Sequence, residues 1–101
     1  MDRFNIAPAE AISLGWDFSA ELESGEIIVS SNPYGDTTVK LFSSSGEDIT
    51  ATNIEADSIL TADAIVQGRV YGTEKGKTYV MKFYAATSTD NYRISTLTIR
   101  S

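Results

Sequence analysis

One stretch limits what this chain can become: Gly72-Thr73-Glu74-Lys75-Gly76-Lys77-Thr78-Tyr79-Val80-Met81-Lys82-Phe83-Tyr84-Ala85-Ala86-Thr87. From Tyr79 onward every second residue is apolar or aromatic, namely Tyr79, Met81, Phe83 and Ala85. A period of two is that of a β-strand with one face in a core. Just upstream, Gly72 and Gly76 bracket a polar turn, and Tyr79 stands three residues after Gly76. A tyrosine in that position predicts a tyrosine corner, in which the phenol hydroxyl is tied to backbone a few residues upstream. Such a corner fixes a turn and performs no chemistry, so the stretch specifies architecture better than activity.

The remainder reads as further strands. Segment 1–10 carries Pro8 and reads as an N-terminal arm or edge segment, because proline donates nothing to a sheet ladder. Ile12, Leu14, Trp16 and Phe18 then alternate with Ser13, Gly15 and Asp17, the pattern of a first long strand. Ser19 to Glu23 is expected to add one helical turn, with Ser19 as N-cap and acidic residues at the positive end of the dipole. Ile27-Ile28-Val29 is β-branched, and Asn32-Pro33-Tyr34-Gly35-Asp36 is dense in turn formers. Thr37 to Phe42 sets Val39 and Leu41 on one face against Thr38, Lys40 and Phe42 on the other. Ile49–Ile54 and Ser58–Thr61 are short candidate strands. Ile65–Tyr71 is a longer one, with Val66, Gly68 and Val70 inward and Gly68 marking a bulge or a close approach.

The last hairpin turns at Ser88-Thr89-Asp90-Asn91. A four-residue loop sets Ala85 against Ile94 and Met81 against Thr98, which leaves Leu97 and Ile99 outside. A bulge near Ser95-Thr96, or an odd-numbered loop, returns both to the core, and one of these two is expected. About seven to nine strands, spaced by roughly 8–12 residues, have the rhythm of a sandwich. The expected fold is all-β: a single immunoglobulin-like antiparallel β-sandwich over 11–101, with one short helical turn near 19–23.

With 101 residues the chain holds one core. Its 8 basic and 14 acidic residues give a net charge of −6, which opposes binding to a phosphate backbone, so no nucleic acid is expected as partner. There is no Cys and no His, which excludes zinc sites of the usual kinds, thiol redox chemistry and any imidazole base. Without Cys no disulfide clamps the sheets, which favours a protein folded inside a cell over an extracellular antibody-type domain. No apolar run approaches the roughly 20 residues of a membrane span. Met1-Asp2-Arg3 leads into no signal-type apolar segment. The expectation is a soluble protein made in a cytoplasm, with no membrane partner.

Catalytic candidates reduce to carboxylates, Ser, Thr, Lys and Tyr. Asp17, Glu21, Glu23 and Glu26 cluster in sequence, and a pair of them has the residue types of a glycosidase. The simpler reading is a solvated acidic loop. Glu47, Asp48, Asp57 and Asp63 offer oxygen ligands to calcium but fall in no EF-hand spacing. Ser43-Ser44-Ser45 has no base beside it, and Lys75 and Lys77 sit among acidic neighbours. No catalytic residue, cofactor or metal ligand is assigned.

The aromatics say more. Tyr79, Phe83 and Trp16 belong to the core by pattern, whereas Tyr84 shares the opposite face of its strand with Val80 and Lys82. Tyr34, Phe42, Tyr71, Val80 and Tyr84 form the candidate interface, because a contiguous apolar surface is unfavourable on a monomer and tyrosine is enriched where proteins meet. Scattered surface aromatics are the simpler alternative, and a carbohydrate-stacking platform is another use of the same residues.

Several short runs point to a family. They are Trp16-Asp17-Phe18-Ser19 with Leu22 and Gly25-Glu26-Ile27-Ile28, then Val70-Tyr71-Gly72-Thr73 with Gly76-Lys77-Thr78-Tyr79, and finally Thr87-Ser88 and Leu97-Thr98-Ile99. In this order they resemble the small immunoglobulin-like virion proteins of tailed bacteriophages, found at capsid surfaces, tails and fibre attachment points. The chain departs from that pattern at Asp90-Asn91, where a Gly is expected. The resemblance implies a non-enzymatic structural protein of a phage particle, serving as capsid decoration or as an adaptor between head or tail and a fibre. Its implied partners are neighbouring capsid, tail or fibre subunits and further copies of itself, in the virion, after synthesis in the bacterial host's cytoplasm. The alternative is a carbohydrate-binding module that presents Tyr34, Tyr71 or Tyr84 to a cell-surface glycan.

Overall fold

The computed structural model describes residues 3–8 and 10–101; Met1, Asp2 and Ala9, which belong to the 1–10 segment, lie outside the described residues. In chain order the elements are β1 (Arg3–Asn5), β2 (Ile12–Asp17), β3 (Ile28–Val29), β4 (Ser31–Asn32), β5 (Gly35–Asp36), β6 (Thr38–Ser43), α1 (Thr50–Asn53), β7 (Leu60–Ala62), β8 (Ile65–Val70), β9 (Thr78–Thr87) and β10 (Tyr92–Arg100). Among the described residues, three of the ten strands, β3, β4 and β5, have only two residues, which leaves seven longer ones.

Two sheets make the sandwich. In the larger, β10 and β6 flank β9, with β1 beyond β10 and β3 beside the far end of β9; in the smaller, β8 lies between β2 and β7. The chain is thus an all-β sandwich whose β6-β9-β10 and β2-β8-β7 sets match the two sheets of the immunoglobulin-like arrangement. One ladder corrects the expectation of a wholly antiparallel fold: β1 runs parallel to β10, through Phe4↔Ile99. The chain leaves β1 through buried Ile6, whose N–H donates to the Arg100 carbonyl at 2.9 Å, and then crosses to β2 in the other sheet. No hairpin joins β1 to β10, so nothing imposes the antiparallel sense.

The core lies between the sheets. Phe18, Val66 and Val70 meet Val39, Leu41, Met81, Phe83 and Ile99, all with essentially no exposure. On β9 the alternation holds: Tyr79, Met81, Phe83 and Ala85 are buried, and Val80, Lys82 and Tyr84 point the other way. The tyrosine corner is present, with the Glu74 N–H donating to the Tyr79 hydroxyl at 2.9 Å.

The last hairpin resolves the register. Thr87 N–H bonds the Asn91 carbonyl and Tyr92 pairs with Ala86, so the loop is the odd-numbered Ser88-Thr89-Asp90. Asp90 takes the left-handed conformation (φ 62°) that a three-residue loop requires, filling the place of the expected glycine. Leu97 therefore faces Met81 and Ile99 faces Tyr79, both on the core side.

Three local expectations are corrected. Residues 19–23 form no helix: Glu21 N–H closes a turn on the Phe18 carbonyl, and the Asp17 carboxylate takes the Ser19 N–H at 2.9 Å, an Asx turn that competes with helix. The short helix is instead α1, inside the stretch 49–54 read as a strand, where Asp48 accepts from the N–H (3.0 Å) and hydroxyl (2.7 Å) of Thr50. Strand β7 sits later than Ser58–Thr61, because the Ser58 hydroxyl is spent on the Glu55 carbonyl and the Arg69 N–H. At Gly68 the β2–β8 register is unbroken, so the glycine marks close packing, with Val39 3.5 Å from where its Cβ would stand.

Candidate functional site

The side of β9 turned away from the core is crossed by three rows of neighbours. Phe42, Val80 and Thr98 form one, Lys40, Lys82 and Thr96 the next, and Thr38, Tyr84 and Ile94 the third, with Tyr92 opposite Ala86 beyond. Side chains directly opposite on one face of antiparallel strands lie close enough to interact. The Lys82 ammonium stands 5.1 Å from the Phe42 ring centroid and that of Lys40 stands 5.6 Å from Tyr84. Tyr84 in turn stacks on Tyr92, with centroids 6.1 Å apart and planes inclined by 29°.

Lys40 and Lys82 face each other directly, an arrangement of like charge that costs stability. Neither forms an ion pair among the described residues. What holds them is the negative face of each ring, worth about 0.5–1 kcal/mol per contact at exposed sites. Burial, followed by the Asp48 charge, pushes the Tyr84 hydroxyl above its ordinary range, so that phenol stays neutral beside them. The result is an aromatic patch carrying two lysines, with the Asp48 charge within reach of Lys40, on a chain of net charge −6.

Of the five candidate interface residues, Phe42, Val80 and Tyr84 come together on this face. Tyr34 projects at 70% exposure from the turn between β4 and β5. That hairpin is held to the Tyr92 end of the face by the Tyr92 hydroxyl, which donates to the Asp36 carbonyl at 2.8 Å, and by Gly35, where a Cβ would stand 2.8 Å from the Tyr92 ring. Tyr71 is elsewhere. It follows β8 in the smaller sheet, its N–H bonded to the Asn53 carbonyl and its own carbonyl to the Asn53 amide. Lys40, Lys82, Tyr92 and Ile94 complete the face and were not among the candidates. The two lysines were readable from strand parity, whereas placing Tyr92 and Ile94 required the loop length.

The acidic residues do other work. Glu26 is buried, and its carboxylate accepts from the Thr87 hydroxyl (2.5 Å), the Thr89 hydroxyl, the Asn91 amide (2.9 Å) and the Glu23 N–H (2.9 Å). The Thr87 hydroxyl first, then Thr89 and the Glu23 N–H, hold its carboxyl down at about 2. A glycosidase's general acid needs the opposite shift. Glu26 borders a shallow groove of about 430 Å³ with Leu22, Ile27, Ile28, Asp63 and Ala64, and there its Oε2 is committed to the β9–β10 turn and its Oε1 to the Glu23 N–H. Asp17 is likewise lowered, by the Ser19 backbone and hydroxyl, and serves its turn.

Among the described residues no three His, Cys, Asp or Glu side chains converge as a metal set. Asp57 (φ 62°) and Asp63 (φ 53°) occupy left-handed turn positions, and Asp48 caps Thr50. Ser43 and Ser45 bond to each other at 2.8 Å, and Lys77 pairs with Glu74 at 2.6 Å. No helix among the described residues is long and apolar enough to cross a membrane. Compared with protein-family models, curated proteins and solved structures, the chain gives no match.

Proposed function

We propose that this chain is a non-enzymatic structural protein whose β6-β9-β10 face seats on a neighbouring protein subunit, and that the setting is a bacteriophage particle. The observation that carries the docking part is the pair Lys40 and Lys82, set opposite each other on aromatic rings with no carboxylate paired to either among the described residues. Two like charges held at a cost are relieved by a partner that presents Asp or Glu against them. The surrounding Phe42, Val80, Tyr84, Tyr92 and Ile94 supply the apolar and aromatic anchors of a protein interface. The phage setting rests on the resemblance of Trp16-Asp17-Phe18-Ser19, Gly25-Glu26-Ile27-Ile28 and Gly76-Lys77-Thr78-Tyr79 to small virion proteins. Capsid decoration and attachment of a fibre to head or tail are the two roles that fit.

The test is incorporation into particles in a host carrying the Lys40→Glu/Lys82→Glu double variant. Loss of incorporation with an unchanged melting temperature supports the reading. Incorporation equal to the parent's refutes the docking face, and absence of the parent chain from purified particles refutes the virion setting. A carbohydrate-binding module predicts instead that Tyr34→Ala, Tyr71→Ala or Tyr84→Ala lowers retention on immobilised glycan.

A further inference from the structure

We infer that the outer edge of β2 accepts one extended segment of another protein, added beside it as a further strand of the smaller sheet. The main chain of β2 is divided by parity. Phe18 N–H donates to the Ala64 carbonyl at 2.8 Å where the β2–β8 ladder ends, so the even-numbered residues of β2 are the ones bonded to β8. Ser13, Gly15 and Asp17 therefore send N–H and C=O the other way. Among the described residues no strand lies on that side.

The other edges are closed or short. On β6, Leu41 N–H goes to the Thr50 hydroxyl, its carbonyl accepts from Ile49 N–H, and Ser43 N–H goes to the Glu47 carbonyl. On β10, β1 takes Thr98 to Arg100, and Arg93 stands on the core-side row. β7 has three residues. Sheet edges are usually guarded by lysine, proline, a bulge or an inward charge. From Ile12 to Asp17 there is no lysine and no proline, and the pairing to β8 is unbroken. The inward row is Ile12, Leu14 and Trp16, and the one charge, Asp17, is exposed.

The stacking of the layers selects the occupant. Gly68 packs on Val39, so β8 lies over β6, and the Trp16 ring meets Phe83, so β2 lies over β9. Beyond β9 the larger sheet continues through β10 and β1, which leaves a ledge beside β2 one strand wide. Its floor is half-buried Ser95 and Leu97 on the core-side row of β10, with Arg93 at one end and buried Ile99 at the other. Half-buried Ile12 and Trp16 form its wall. The β2 edge of a second copy does not fit, because its own β9 would fall where β10 stands. A lone extended segment fits, with small or apolar side chains turned toward Leu97 and Trp16 and polar ones beside Ser13 and Asp17. Met1 and Asp2 together reach roughly 7 Å, too little to line the ladder of about 13 Å from Ser13 to Asp17. This edge belongs to the smaller sheet and is independent of the Lys40 and Lys82 face.

Residue-resolved amide exchange of the full chain, with and without the peptide acetyl-Lys-Thr-Val-Thr-Val-Thr-Lys-amide, tests the pairing. The Ser13, Gly15 and Asp17 amides are expected to exchange fast in the free chain and at least about tenfold slower with saturating peptide, while Leu14 and Trp16 are protected in both. The same peptide N-methylated at every residue is expected to change nothing. Ser13→Pro removes one edge donor and leaves the β8 ladder whole, so it is expected to weaken peptide binding about tenfold with Leu14 and Trp16 still protected. Slow exchange of the three odd-numbered amides in a chain that sediments as a monomer without peptide overturns the inference, because the edge is then already covered. So does slowing that needs only a high concentration of the chain itself, no slowing with the peptide, or equal slowing with its N-methylated form.

Discussion

Odd- and even-numbered side chains of β9 meet two different surroundings. Tyr79, Met81, Phe83 and Ala85 are closed off by the β2-β8-β7 sheet, whereas Val80, Lys82 and Tyr84 have no third layer above them among the described residues. The inward row is close-packed, with Phe83 beside the Trp16 ring at 6.2 Å. The outward row is a lattice of rings and ammonium groups, with Lys40 and Lys82 directly opposite each other. The contrast teaches that one strand carries stability on one parity and, on our reading, recognition on the other. The two properties can be removed separately.

The largest expected effect is on the inward row. Phe83→Ala should cost about 3–5 kcal/mol in denaturant unfolding, the usual range for a fully buried aromatic. A loss under about 1 kcal/mol is below that range and means the layers are not packed as described. Glu26→Gln comes next and is read against pH. The folded carboxyl lies at about 2, below the ordinary 4.5, so its charged form stabilises the fold above pH 4.5. That contribution drains away as pH falls from 4.5 toward 2. The variant should melt lower than the parent at pH 7, and the gap should close on acidification to pH 2; a gap independent of pH contradicts the turn lock. Tyr79→Phe keeps the ring and orphans the Glu74 N–H, for about 1 kcal/mol. Smallest is Lys82→Glu, expected within about 0.5 kcal/mol of the parent in unfolding, as for other surface changes.

Much of this architecture was legible because both signals behind it are local. Alternation at Tyr79, Met81, Phe83 and Ala85 and the glycine turn before Tyr79 sufficed for β9 and its corner. The core-side pair Val39 and Leu41 was readable in the same way. Side-chain hydrogen bonds defeated the reading elsewhere: Asp17 turned 19–23 away from helix, and Asp48 turned 50–53 into one. The candidate face was half legible. Phe42, Val80 and Tyr84 follow from parity, but Tyr92 and Ile94 depend on whether the loop ends at Asp90 or Asn91, which only Thr87 pairing with Asn91 decides. Tyr71 lies away from the other four, after β8 in the smaller sheet, a placement that alternation along its own strand does not reveal.

The division of β9 by parity is tested most directly by alanine substitution at each position from Tyr79 to Tyr84, with melting temperature and particle incorporation measured on the same samples. The account predicts that Tyr79, Met81 and Phe83 lose melting temperature, while Val80, Lys82 and Tyr84 keep most of it and lose incorporation. If both readouts fall together at every position, or if the outward three incorporate like the parent, the two rows do not have separate roles and the account is wrong.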